Sequence, residues 1–180
     1  MSQLIDERGL DGVTCRAVTD RAGVAAGTFF VHFADSASLV EVLLDDHLAA
    51  ALTDIEATLP TAGGLADELL HVSLGLVDSY AGQPALARAY LTATLFRADL
   101  DGPTSVRLRS FARWVGGRVA TAVARGELED GEATQVAGVY FGLYFGTLVA
   151  GLRREVTCTG REEALEWALR RLVGTPGGAW

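Results

Sequence analysis

Apolar positions in this 180-residue chain recur every three or four residues over long stretches, and only four prolines interrupt them. That spacing lays an apolar stripe along one side of a helix, so the pattern predicts an all-α protein. Gln3 to Arg8 reads as a short helix stopped by Gly9, with Leu4 and Ile5 facing inward. Thr14 is a good N-cap for the next helix, with Ala17, Val18 and Ala22 on its buried side. Gly23 suits the left-handed position that ends such a helix, and a third short helix follows from about Ala26 to Phe33. Asp35 or Ser36 then caps a long helix through Leu59, carrying Leu39, Val42, Leu43, Leu48 and Leu52, and Pro60 closes it. Further helices are predicted at Leu65 to Ala81, Ala85 to Ala98, Thr104 to Arg125 and Gly131 to Arg154. A loop is expected at Cys158 to Gly160. Thr159 and Glu162 have capping-box spacing for a last helix from Arg161 to Val173, ahead of a frayed tail.

Two short helices joined by a glycine turn make a helix-turn-helix, the arrangement that presents its second helix to a DNA major groove. Val18, Ala22, Val24, Phe29 and Phe33 can fix the angle between the pair. Ala26, Gly27 and Thr28 keep the start of the second helix small, so its backbone can approach base edges. Thr28 offers a hydroxyl and a methyl, and His32 and Arg16 can reach phosphates. Taken singly, Phe29 and Phe33 read equally well as core, and His32 as an ordinary surface histidine.

Charge bears on that reading. The net charge is −8, and all 15 basic residues are arginine. Residues 1–47 carry eight acidic side chains against three arginines, a poor match to polyanionic DNA. The arginine-only usage suggests a GC-rich bacterial source.

The longer string ERGLDGVTCRAVTDRAGVAAGTFFVHFADSASLVEVLL resembles the DNA-binding domain of TetR-type transcriptional regulators. Arg8-Gly9, Thr14, Val18-Thr19, Ala22-Gly23-Val24, Gly27-Thr28-Phe29, His32-Phe33 and Leu39 carry the match, over about residues 7 to 44. The resemblance implies a bacterial, cytoplasmic, homodimeric and ligand-responsive repressor, found at the nucleoid when bound to DNA. Its partners would be double-stranded operator DNA, a second copy of itself and a small-molecule effector, with no cofactor and no membrane. It implies a DNA-binding domain over residues 1–46 and a helical effector-binding and dimerisation domain over 47–180. The implied DNA-contacting positions are Thr14, Arg16, Ala26, Gly27, Thr28, Phe30, His32 and Ser36. Several depart from the family pattern. Ala25 stands where a capping Ser is common, Ala26 near a usual basic residue, Phe30 where a Tyr hydroxyl bonds a phosphate, and Ser36 where Lys is usual. Family members also carry about ten more residues at the front, often basic, so the first helix is expected to be shortened. These departures keep a second reading open, a dimeric small-molecule-binding protein with weakened or lost DNA binding.

In the body, Gly138, Gly142, Gly146 and Ala150 recur every fourth residue on one helix face, flanked by Phe141 and Phe145. Glycine inside a helix costs about 1 kcal/mol relative to alanine, so three on one face call for a close neighbour. That neighbour is a partner subunit or another helix of the same subunit. TetR-type proteins dimerise through their last two long helices, which implies the former. The same logic places Leu165, Leu169 and Leu172 of the last helix at the interface, while its charged side, Arg161 to Arg171, reads as a solvated face. Tyr80, Tyr90, Phe96, Phe111, Trp114, Tyr140 and Tyr144 gather in the middle helices. They form either a pocket for an apolar or aromatic effector or ordinary core. Arg88, Arg97 and Arg113 would anchor a ligand only from inward-turned faces.

No catalytic pattern accompanies these features. His32, His47 and His71 lack metal-ligand spacing, and there is no nucleophile elbow or phosphate loop. Cys15 and Cys158 lack metal or redox spacing and read as reduced thiols. No secretory signal is evident, and the apolar run Val136 to Leu152, with four glycines, reads as a buried helix rather than a bilayer span.

Overall fold

A computed structural model describes residues 14–33, 35–81, 84, 87–88, 103–153 and 158–174. Among the described residues lie seven α-helices, a short 3-10 turn and no strand, as the periodicity predicts. They are α1 (Cys15–Ala22), α2 (Ala26–His32), α3 (Ser36–Ala57), α4 (Leu65–Ala81), α5 (Pro103–Ala124), α6 (Ala133–Arg153) and α7 (Cys158–Val173). The helix expected at Gln3 to Arg8 and the TPGGAW tail lie outside the described residues, as does the helix expected at Ala85 to Ala98 apart from Ala87 and Arg88, which are helical.

Local chemistry accounts for most of the ends. The Thr14 hydroxyl accepts the Ala17 N–H at 3.2 Å, capping α1. Asp35, not Ser36, caps α3, accepting the Ser38 N–H at 2.7 Å. Two boundaries differ from expectation. The segment Cys158 to Gly160 is the first turn of α7, not a loop. First-turn N–H groups have no intrahelical acceptor, so Thr159 and Gly160 cost little there. Ahead of α6, Glu129 and Glu132 form a reciprocal capping box around the 3-10 turn Asp130–Glu132.

Helix α4 is the axis of the body, packed against α3, α5, α6 and α7. Its buried residues Leu65, Leu69, Val72, Leu76 and Val77 form a broad apolar stripe, as such a position requires. At Gly75 the approach of α3 is close: a Cβ there would stand 2.7 Å from Ile55 Cγ1, so only glycine leaves room.

Buried polar groups on α4 are satisfied by its neighbours. The Glu68 carboxylate accepts from the Arg118 guanidinium at 2.6 Å and from Arg125 at 3.3 Å, tying α4 to α5. Glu127 accepts the Leu65 N–H at 2.7 Å, placing a negative charge at the N-terminus of α4 where the helix dipole favours it. On the opposite stretch, Ser73 and the Tyr140 hydroxyl meet at 3.0 Å with both residues fully buried, linking α4 to α6.

Burial raises the Tyr140 phenol well above its ordinary value near 10, against a smaller lowering by Ser73. A raised phenol pKa favours the folded state while the unfolded tyrosine is still protonated. That contribution is lost as pH climbs above about 10, because only the unfolded chain then releases the proton. Tyr140→Phe is expected to lose about 1 kcal/mol at neutral pH, with Ser73 left unpaired. It should also flatten the alkaline fall in stability, as read from denaturant melts between neutral pH and pH ~11.

Candidate functional site

The pair α1 and α2 is set by Gly23, Phe29, Val18 and Thr19. Gly23 sits at φ 68°, ψ 29°, and the N–H groups of Gly23 and Val24 both turn back to the Thr19 carbonyl. This left-handed close reverses the chain in one residue. Phe29 is the buried residue of α2, 4% exposed, in edge contact with Phe30 and tilted against Phe33. On α1, Val18 and Thr19 are buried, and the Thr19 hydroxyl donates to the carbonyls of Cys15 and Arg16.

With Phe29 inward, the rest of α2 faces outward. Ala26, Gly27, Thr28 and His32 are exposed, and so are Phe30 at 60% and Val31 at 78%. An apolar outer face on a short helix of a water-facing domain is poorly explained by monomer stability alone. Ala25 caps α2 with no side-chain hydrogen bond, as the missing Ser leads one to expect. Thr14 and Arg16 are exposed on α1, with Arg16 held 3.7 Å from Asp20. So exposed a pair contributes little to stability, but it halves the local positive charge. Ser36 opens α3, and its side chain is outside the described residues.

On α6 the small-residue face is open. Gly138, Gly142 and Gly146 are exposed, and a Cβ added at any of them meets nothing within 4 Å. Among the described residues, then, no helix of the same subunit fills this groove. Phe141, Phe145 and Ala150 flank it half-buried. The expectation for α7 needs correction. Leu165 and Leu169 are 2% and 0% exposed within the subunit's own core, so they cannot line an interface; Leu172 is half-buried. The stripe read as an interface is the one that docks α7 onto α4 and α6. Sequence reading passed over Val139, exposed beside the glycines, and Trp167, 65% exposed with the Arg171 guanidinium 5.6 Å from its ring centre. Trp167 lies among charged neighbours, and that composition masked it.

The aromatic pocket is also corrected. Phe111 packs on Trp114 in near-parallel stacking at 6.0 Å and on Tyr144 at 5.6 Å, and Tyr140 stacks on Tyr144 at 6.3 Å. These rings fill space against one another as core. Tyr90, Phe96 and Arg97 are outside the described residues. Tyr80 instead lines a different cavity of about 370 Å³, between the C-terminal ends of α4 and α6 and the start of α7. Its apolar wall includes Val77, Leu148 and Leu152, and Arg88, Arg153 and Arg161 also line it. Arg113 is exposed and donates to Ser110.

No cluster of metal-ligating side chains occurs among the described residues. His47 bonds Ser79 at 2.9 Å and His71 bonds Thr58 at 3.0 Å, so both histidines stitch α3 to α4. The stretch Asp130–Arg153 is long and apolar enough to cross a bilayer by length and composition, yet it packs on α4, α5 and α7, burying Val136, Tyr140, Tyr144 and Leu148.

This architecture, a helix-turn-helix pair joined to a helical body, is that of a DNA-binding regulator. Residues 2–43 match the family model of bacterial regulatory proteins, tetR family. The HTH-type transcriptional repressor KstR of Mycolicibacterium smegmatis is 30% identical over 174 residues, spanning 93% of this chain and 80% of that protein. KstR of Mycobacterium tuberculosis is 27% identical over 169 residues, 92% of this chain and 74% of that protein. Among solved structures, the regulator FadR of Bacillus subtilis in complex with stearoyl-CoA superposes with a TM-score of 0.71 at 18% identity, over 96% of this chain and 94% of that one. A Rhodococcus sp. RHA1 protein gives 0.74 at 17% identity, over 97% and 91%. The chain belongs to the TetR family of transcriptional regulators.

Gly23→Ala tests the turn. No neighbour obstructs the new methyl, so the cost is conformational, about 1–2 kcal/mol of stability for a left-handed alanine. Thermal unfolding with and without operator DNA should show the loss.

Proposed function

We propose that this TetR-family protein is a homodimeric repressor. Residues 1–46 read an operator half-site through α2, and residues 47–180 dimerise and hold a small, largely apolar effector. The observation that carries the reading is the outer face of α2: a seven-residue helix anchored by Phe29 alone, with every other side chain exposed. Thr14, Arg16, Thr28, His32 and Ser36 are the positions proposed to contact DNA, with Ala26 and Gly27 allowing close backbone approach and Phe30 packing against the sugar-phosphate edge. The open Gly138, Gly142 and Gly146 face of α6, with Val139 and the exposed Trp167 of α7, is the proposed dimer surface. An isologous contact there sets two copies of α2 about one DNA turn apart. Effector binding shifts the population toward a spacing that no longer fits both half-sites. Operation in the bacterial cytoplasm, without catalysis, follows from this reading.

The rival reading, a dimeric ligand binder that no longer reads DNA, draws on the acidic N-terminal domain and on Phe30, which carries no hydroxyl for a phosphate. A gel shift with DNA flanking the protein's own gene separates the two. Specific retention that weakens as salt rises is the expected result. Thr28→Ala should weaken it about five- to tenfold through one lost hydrogen bond, with the salt slope unchanged. Absence of retention at low salt favours the rival.

A further inference from the structure

The cavity between α4, α6 and α7 carries a charge that the rest of the chain does not. The protein is acidic overall, −8, yet three of its 15 arginines line this one cavity and no acidic side chain does among the described residues. Arg88 and Arg153 are exposed, whereas Arg161 reaches inward from the first turns of α7. Its Nε is shielded from solvent and has no hydrogen-bond partner among the described residues. A shielded cationic donor without an acceptor is costly, and the half-buried Arg161 side chain also lines the cavity, where an anionic oxygen would offset its charge.

The backbone is shaped around the same group. Gly151 stands on α6 opposite Arg161, and a Cβ there would fall on the guanidinium, whose Cζ lies 3.1 Å from that point. Glycine at this position lets the guanidinium lie across the helix. Opposite the arginines, Val77, Leu148 and Leu152 give the cavity an apolar wall. One end therefore suits an anion and the other a hydrocarbon. The volume, about 370 Å³, is near the low end of small-molecule pockets.

We propose that this cavity binds a small amphiphilic anion, a carboxylate- or phosphate-headed molecule with a short hydrocarbon body. Its head group sits on Arg161 and Arg153, and its tail lies along Val77, Leu148 and Leu152. The assignment rests on the effector-binding reading above and gives the effector its chemical class. The anionic head, rather than aromatic stacking, supplies the selectivity, because a half-buried guanidinium pairs more strongly with a charged than with a neutral oxygen.

Calorimetric titration of the full chain with octanoate, octyl phosphate and octanol tests the assignment. At least one of the two anions is expected to bind about tenfold or more tighter than octanol, and the better of them identifies the head group. Arg161→Gln should bring the anion to within about twofold of octanol and leave octanol binding unchanged, while Arg161→Lys keeps part of the preference. Gly151→Ala should lower the preference without altering any charge, and thermal melts establish that each variant is folded. Equal binding of anion and alcohol by the unaltered protein, no binding of any probe at millimolar concentration, or an undiminished anion preference in folded Arg161→Gln would overturn the proposal. An operator gel shift on the same preparation keeps two failures apart. Retained DNA binding with no anion preference defeats only this assignment, whereas lost DNA binding defeats the regulator reading.

Discussion

One unbroken helix makes the two ends of this molecule mechanically dependent. Helix α3 runs 22 residues, about 33 Å at the standard helical rise. A continuous apolar cluster extends from Val18 and Phe29 through Leu39 to Leu48 and Ile55, so α3 belongs to the small N-terminal core and to the large one. Arg107 fixes it to α5 with two bonds to the Asp45 carboxylate, both 2.9 Å. The boundary drawn between residues 46 and 47 thus falls inside a helix, beside its strongest ionic contact. A tilt of α3 within the body therefore bears on the small N-terminal core through the apolar cluster that Leu39 shares with Val18 and Phe29.

The partner of α3 is α4, and their contact has little slack where Ile55 fills the space over Gly75. Elsewhere α4 is held by directional bonds, Glu68 to two arginines and Ser73 to Tyr140. Such buried pairs give modest net stability but penalise alternative registers severely, since a slipped helix strands a charge or a hydroxyl. Val77 and Tyr80, at the far end of α4, line the arginine-bearing cavity. On the proposed reading, a ligand there presses on α4, and α4 bears on α3 through Ile55. Closely packed contacts pass such a displacement on because interiors have few voids.

The helix-turn-helix was legible in the sequence because its determinants are local. Thr14 caps within three residues, Gly23 needs its own φ, and Phe29 is the one large residue of its short helix that must turn in. The body was legible as helices but less so as surfaces. The stripe Leu165, Leu169, Leu172 has the periodicity of an interface and of an internal face alike, and only the packing of α7 on α4 decides between them. The aromatics erred in the same way, since rings that converge can enclose a ligand or fill the space themselves, and Phe111, Tyr140 and Tyr144 fill it. The glycine face of α6 stays open, and packing among the described residues of one subunit does not account for it. Of the cavity arginines the sequence singled out only Arg88 as a possible anchor and read Arg161 as part of a solvated face, because Arg88, Arg153 and Arg161 come from three separate segments.

The most direct test concerns where two copies of α2 stand. Pulsed electron-electron distance measurement on a spin label at Val31→Cys, with Cys15 and Cys158 replaced by Ser, reports it on the dimer with operator DNA. The account predicts one dominant distance of about 34–36 Å, one helical turn of DNA, broadening or lengthening on release. A protein that gives no pair distance, or a pair too far apart for adjacent major grooves with DNA present, would contradict it.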